Sequence, residues 1–147
     1  MLEVHGSYID SLRDKINNWL ASDIGKSSKW AKYIRYTPDL FHLLIKLSVD
    51  PSVCNDCKAK LASTISYFVS PFDFIPEEYW GALGYVDDIA LAAYVLDRIM
   101  QDTDIKTIES HWQGDTDLQP LISEILAAAE EMVGEKWWKK LKDLVKD

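Results

Sequence analysis

A run of eight residues, Ile89 to Leu96, has side chains that are all apolar apart from one tyrosine hydroxyl. Three of the eight are alanine, which favours a helix over a strand. A helix that is apolar around its whole circumference has to be buried on every side, so other helices must surround it. The chain has 147 residues, which is enough for one ordinary domain with a substantial core.

The rest of the chain also has helical spacing. Near the N-terminus, Ile9, Leu12 and Ile16 recur at three- and four-residue steps and form one apolar stripe. No segment alternates apolar and polar residues strongly enough to predict a strand. We therefore predict an all-α, compact single-domain bundle of about six to eight helices around a central helical hairpin. Its parts are N-terminal helices within 7–36, a core at about 40–100 and C-terminal helices within 103–146.

The connection between the two most apolar helices contains the most distinctive motif. It has the pattern Ser70-Pro-x-Asp-x-Ile-Pro76, followed by Gly84-Tyr-x-Asp-Asp88. An apolar connector of this kind is expected to be packed, and an unpaired carboxylate costs several kcal/mol to bury. Partners are therefore needed for the four acidic residues that we single out as candidate binding residues: Asp73, Glu77, Asp87 and Asp88.

This motif resembles the YkvA-like family of small helical domains of unknown function. The resemblance covers Leu40 to Leu96 and includes Asp50-Pro51 followed by Lys58-Ala-Lys60-Leu61. One departure is Glu77, where the family usually has aspartate. The resemblance implies a small helical fold but no established reaction, and some relatives look membrane-associated.

The carboxylates have three alternative roles. They can cap helices, with Asp87 or Asp88 at the start of a helix, or pair with Lys58 or Lys60. They can hold a divalent cation (Mg²⁺, Mn²⁺ or Ca²⁺) through oxygen ligands, with Asp73, Asp87 and Asp88 as candidates and Glu77 beside them. They can also contact a partner. We favour capping or pairing, and we expect no cofactor.

Charge is distributed unevenly over a chain whose formal net charge is -8. Residues 1–36 carry +2, residues 37–135 carry -13 and residues 136–147 carry +3. The overall acidity argues against nucleic acid as a partner. The basic ends interleave lysine with aromatic residues, and we assign the last of these stretches as a candidate membrane or partner contact: Lys136, Trp137, Trp138, Lys139 and Lys140.

The two cysteines, Cys54 and Cys57, have the spacing of half a zinc site. A second cysteine pair is lacking, and His42 and His111 would have to complete the ligand set. The first residues lack a secretory signal pattern, so we predict a cytoplasmic protein, with peripheral membrane association as an alternative, and two free thiols.

The sequence contains no complete catalytic set. We therefore predict a non-enzymatic interaction module that binds a protein partner or, peripherally, an anionic membrane surface. The alternative is a divalent-metal-dependent hydrolase of phosphate esters or nucleotides that uses Asp73, Asp87 and Asp88. A homo-oligomer in contact through exposed tryptophans is a third hypothesis.

Overall fold

The structure, a computed structural model, describes residues 2–69 and 85–145. These residues form helices and no strand, which confirms the predicted all-α class. The helices are α1 (Leu2–Ala21), α2 (Asp23–Ser27), α3 (Ala31–Ile34), α4 (Thr37–Ser48), α5 (Asn55–Val69), α6 (Tyr85–Ile99), α7 (Ile105–Ser110), α8 (Leu118–Val133) and α9 (Glu135–Leu144).

Helix α6 is the central element, as its composition predicts. From Ile89 to Ala93 every residue is at most 1% exposed. α6 packs most extensively against α8, and it also contacts α3, α4, α5 and α9. A helix with neighbours on so many sides cannot present a polar face, which explains the eight-residue apolar run.

Helix α4 forms the second layer of the core. Thr37 and Pro38 occupy its first turn, and the side chain of Thr37 donates to the carbonyl of Ile34 at 2.6 Å. Its leucines and Phe41 are buried against α1, α5 and α6. Thr37-Pro38 is a pattern typical of a helix start, because proline at the first turn has no N–H to lose; α4 begins there, and the residue that precedes the helix is Tyr36 and not Thr37.

Helices α5 and α6 run in opposite directions. Cys54 and Cys57, at the start of α5, line the same cleft as Arg98 and Ile99, at the end of α6. The pair therefore has two ends: the carboxylate end, defined by Asp87 and Asp88, and the cysteine end, defined by Cys54 and Cys57. The predicted central hairpin corresponds to this pair.

Candidate functional site

The carboxylate end lies in the first turn of α6. The described helix begins at Tyr85, two residues before Asp87, so neither aspartate occupies the residue that precedes the helix. Asp87 is half-buried, whereas Asp88 is only 1% exposed. The predicted helix start at Asp87 or Asp88 is therefore late by two or three residues.

Asp88 is a buried carboxyl. Within residues 2–69 and 85–145, neither of its oxygens has a hydrogen-bond partner. It therefore neither caps α6 nor pairs with Lys58 or Lys60 there. Burial raises the pKa of Asp88 well above its usual range, and the neighbouring charge of Asp87 raises it further. The group is consequently favoured in its neutral form.

Asp87 connects the motif to the last helix. Its Oδ2 accepts a hydrogen bond from the indole Nε1–H of Trp137 at 2.8 Å, across 50 residues of sequence. Burial raises the pKa of Asp87, and the hydrogen bond from Trp137 partly offsets this. Two candidate regions that the sequence presents separately thus meet at one place.

Helix α9 presents opposite faces to the core and to solvent. Trp138, Leu141 and Val145 are buried, and the ring of Trp138 lies edge-on to Tyr94 with centroids 5.9 Å apart. Four exposed residues of α9 form what we call the cationic surface: Lys136, Trp137, Lys139 and Lys140. Its three lysines have i, i+3 and i+4 spacing, which brings them close together on the helix.

Trp138 is buried, so this candidate contact residue is not available to a membrane or a partner. Lys142 lies over its ring, 5.5 Å from the centroid. Trp137, in contrast, is 42% exposed. Asp143 is also exposed and adds one carboxylate close to the three lysines.

The other basic stretch, within residues 26–36, is engaged inside the molecule. Lys29 pairs with Glu131, and Arg35 pairs with Asp115 at 2.8 Å. Tyr36 is buried and donates its hydroxyl to Asp115 at 2.6 Å. These contacts with the acidic part of the chain leave α9 as the better candidate for an outward-facing basic surface.

Asp73 and Glu77 lie outside the described residues. The structure therefore does not test whether they join Asp87 and Asp88. Among the residues it describes, no group of three or more His, Cys, Asp or Glu side chains is arranged to hold a metal ion. The predicted cation site at Asp73, Asp87 and Asp88 stays a prediction.

At the cysteine end the prediction of two free thiols is wrong. Cys54 and Cys57 form a disulfide, with their Cα atoms 5.1 Å apart. The first turn of α5 brings the two residues to a separation that a disulfide can span. Spacing alone does not report this, because an oxidised and a reduced pair have the same sequence. The disulfide also occupies both sulfurs that a zinc site would need, and His111 instead contacts Asp50 through Nε2 at 2.8 Å.

A cleft of about 390 Å³ opens beside the disulfide. Its lining includes the cationic side chains of Lys60 and Arg98 and the acidic side chains of Asp56 and Asp102. Sequence reasoning missed this cleft, since α5 and the end of α6 are separated by the length of the hairpin. The pair of cysteines was the signal available in the sequence.

A second cleft, of about 610 Å³, lies between α1 and the segment after α7. Two ion pairs line it: Arg13 with Asp39 at 3.0 Å, and Arg35 with Asp115. These partners are 26 and 80 residues apart in the sequence, so no local pattern predicts them. Because each arginine is already paired, this cleft offers no obvious site for a further anion.

Known proteins match part of the chain. Residues 57–94 match a family model described as Protein of unknown function (DUF1232). The chain is also similar to "Uncharacterized protein ORF9" of Methanothermobacter thermautotrophicus, with 29% identity over 103 residues, 70% of each chain. No solved structure matches. The matched range contains most of α5 and α6, with the connection between them, and includes Asp87, Asp88 and Cys57 but not Cys54.

Of the helices described, none has the length and apolar composition that a membrane span requires.

Proposed function

We propose that this protein is an interaction module that docks an acidic surface of a protein partner through the cationic surface of α9. The observation that carries the proposal is the division of α9 into two faces. Trp138 and Leu141 anchor the helix in the core, while Lys136, Lys139 and Lys140 face solvent. The helix that carries the lysines is therefore ordered before a partner arrives, which lowers the entropy cost of binding.

Trp137 favours a protein over a lipid surface. Its indole N–H is already bonded to Asp87, and more than half of the side chain is covered. Insertion into a membrane interface would break this hydrogen bond, whereas docking against a protein can keep it. A fixed, half-exposed tryptophan beside charged groups is typical of the residues that dominate protein interfaces.

The apolar face of α9 gives a second reason. Amphipathic helices bind membranes by burying that face in the lipid, and here it is packed against the domain instead. Only the lysines would then contribute to lipid binding, at about 1 kcal/mol each near an anionic membrane. Peripheral membrane association is therefore the weaker form of the proposal.

The resemblance to the YkvA-like family supports the assignment to a small helical domain. We propose that the family matched over residues 57–94 is the same one, because that range lies entirely within the Leu40–Leu96 stretch that carries the motif. The metal-dependent hydrolase gains no support from the described residues. Asp87 accepts a hydrogen bond from Trp137, and the cation site at Asp73, Asp87 and Asp88 stays a prediction.

The test is a titration of the isotope-labelled full chain, monitored through the Trp137 indole N–H resonance and the amides of α9. One probe is a glutamate-rich helical peptide, and the other is vesicles of phosphatidylserine compared with phosphatidylcholine. We expect the peptide to shift these resonances, and we expect the shifts to weaken as salt is added.

Charge reversal distinguishes binding through the cationic surface from a general effect of the protein's net charge. The double variant Lys139→Glu/Lys140→Glu should lose peptide binding. The matched control Lys26→Glu/Lys106→Glu changes two exposed lysines elsewhere by the same total charge and should retain it. Equal loss in both variants would contradict the proposal, and binding only to phosphatidylserine vesicles would replace it with the membrane alternative.

A further inference from the structure

The two sulfurs at the cysteine end differ in their exposure to solvent. Cys54 directly precedes α5 and is exposed, whereas Cys57 lies in the first turn and is 3% exposed. A thiolate that approaches from solvent can therefore reach Cys54, while the helix and the core shield Cys57. This asymmetry assigns different roles to the two sulfurs in any exchange reaction.

The surroundings favour a negative charge on Cys54. The backbone N–H of Cys57 donates to the Sγ of Cys54, at 3.1 Å. After reduction this donor would face a thiolate at the N-terminus of α5, where the helix dipole also stabilises an anion. Lys60 and Arg98 line the same cleft together with Asp56 and Asp102, so the cleft has as many cationic as acidic side chains and the stabilisation of the thiolate rests on the N–H donor and the helix N-terminus.

The cleft provides room for a reaction partner. Its volume of about 390 Å³ lies at the lower end of the range for small-molecule sites, and the disulfide forms part of its lining. Arg98 is held over the ring of Tyr94, with its Cζ 5.8 Å from the centroid, so the cleft keeps a defined wall. A disulfide that serves only as a structural cross-link needs no such access.

We propose that Cys54 and Cys57 are a redox-active pair that exchanges electrons with thiols and disulfides, with Cys54 as the reacting sulfur. This inference stands independently of the docking proposal, because it concerns the opposite end of the α5–α6 pair.

The exchange is balanced as a two-electron reaction. A thiolate attacks the Sγ of Cys54 and forms a mixed disulfide. The Cys54–Cys57 bond breaks, and its electron pair leaves on the sulfur of Cys57, which takes up a proton. A second thiolate then attacks the sulfur of the bound thiol, which releases the oxidised disulfide product and Cys54 as a thiolate. In the reverse direction Cys54 attacks a substrate disulfide, and Cys57 resolves the intermediate.

The first experiment traps the intermediate. The variant Cys57→Ser leaves Cys54 without its resolving partner, and Cys54→Ser is the matched control. Each variant of the full chain is incubated with glutathione disulfide in one arm and with insulin in another, and adducts are located by mass spectrometry. We expect adducts at Cys54 to form at least roughly tenfold faster than adducts at Cys57.

The two arms identify the source of the substrate disulfide. A faster reaction with glutathione disulfide indicates a small thiol, and a faster reaction with insulin indicates a protein disulfide. No adduct in either arm, or equal rates at Cys54 and Cys57, would overturn the proposal.

A second measurement does not depend on the variants. The unsubstituted protein is reduced with dithiothreitol, and its fold is followed by amide resonances while iodoacetamide alkylates the thiols. We expect reduction without unfolding, and alkylation of Cys54 before Cys57. Reduction that occurs only when the chain unfolds would instead identify a purely structural disulfide and overturn the inference.

Discussion

The two ends of the α5–α6 pair differ in how far solvent reaches their polar residues. At the carboxylate end, Asp88 is withdrawn from solvent in the first turn of α6, and burial favours its neutral form. At the cysteine end, Cys54 stays exposed in a charged cleft, and only Cys57 is covered. One end thus suppresses the chemistry of its polar residues, and the other leaves a reactive group accessible.

The difference teaches that burial, and not residue type, separates the two sites. Both ends lie at the first turn of a long helix, and both contain two chemically active residues three or fewer positions apart. At the carboxylate end α9 closes over the turn through Trp137. At the cysteine end, the residues that the structure describes leave a cleft beside the disulfide that is open to solvent.

The largest expected effect comes from a change between the two ends. Leu61 is fully buried in α5, and Leu61→Ala should lower the free energy of unfolding by about 2–5 kcal/mol through lost contacts and a cavity. Chemical denaturation measures this, with the exposed Val49→Ala as control. If the two ends belong to one cooperative unit, spectroscopic probes at both should report the same unfolding transition. Separate unfolding transitions would show that the two ends do not share one scaffold.

Reduction of the disulfide should have a smaller effect. The loop that Cys54 and Cys57 close is short, so its removal should cost about 2 kcal/mol or less of stability in the chain-entropy account. Thermal unfolding with and without dithiothreitol provides the measurement. A loss as large as that of Leu61→Ala would show that the cysteine end is a cross-link and not an open site.

Asp88→Asn should stabilise the protein at neutral pH. The unfolded chain releases this proton near the ordinary pKa of 3.8, whereas the folded chain retains it to higher pH. The contribution of Asp88 to stability is therefore complete below that pKa and is lost as pH rises toward the folded pKa. Asparagine cannot ionise, so the variant should be more stable than the unsubstituted protein at pH 7, and the gain should vanish at low pH.

Thermal unfolding as a function of pH tests this, with the exposed Asp97→Asn on the same helix as control. Asp97→Asn makes the same chemical change at an exposed position. A loss of stability at pH 7 in Asp88→Asn would mean that the Asp88 carboxylate is ionised and paired, and would contradict the interpretation that burial keeps it neutral.

The smallest effect is expected from Trp137→Phe. This change removes the indole N–H that donates to Asp87 but keeps an aromatic ring, so the loss should be about 0.5–1.5 kcal/mol. The pKa of Asp87 should rise further, because the hydrogen bond that opposes the effect of burial is gone. A carbon-detected titration of the Asp87 carboxyl measures this, and an unchanged pKa would show that the contact is not maintained in solution.

The fold could be predicted from the sequence because its strongest signals are local. The apolar run from Ile89 to Leu96 requires a central helix, and the position of Thr37-Pro38 determines the start of α4. The start of α6 was predicted late because Asp87 and Asp88 resemble capping residues, although they lie inside the first turn.

The site could be predicted only in part, because its contacts join distant parts of the chain. The bond between Asp87 and Trp137 spans 50 residues and has no sequence pattern. The burial of Trp138 but not Trp137 depends on which face of α9 meets Tyr94. The state of Cys54 and Cys57 depends on oxidation, which the order of residues does not encode. Asp73 and Glu77 lie outside the described residues.

The hydrogen bond from Trp137 to Asp87 also has a thermodynamic consequence. Whatever occupies α9 and shifts this indole changes the proton affinity of Asp87, and by linkage a proton on Asp87 changes the affinity of α9 for its occupant to the same extent. The acidic motif and the basic helix are therefore thermodynamically coupled, so that binding at α9 and protonation of Asp87 influence each other.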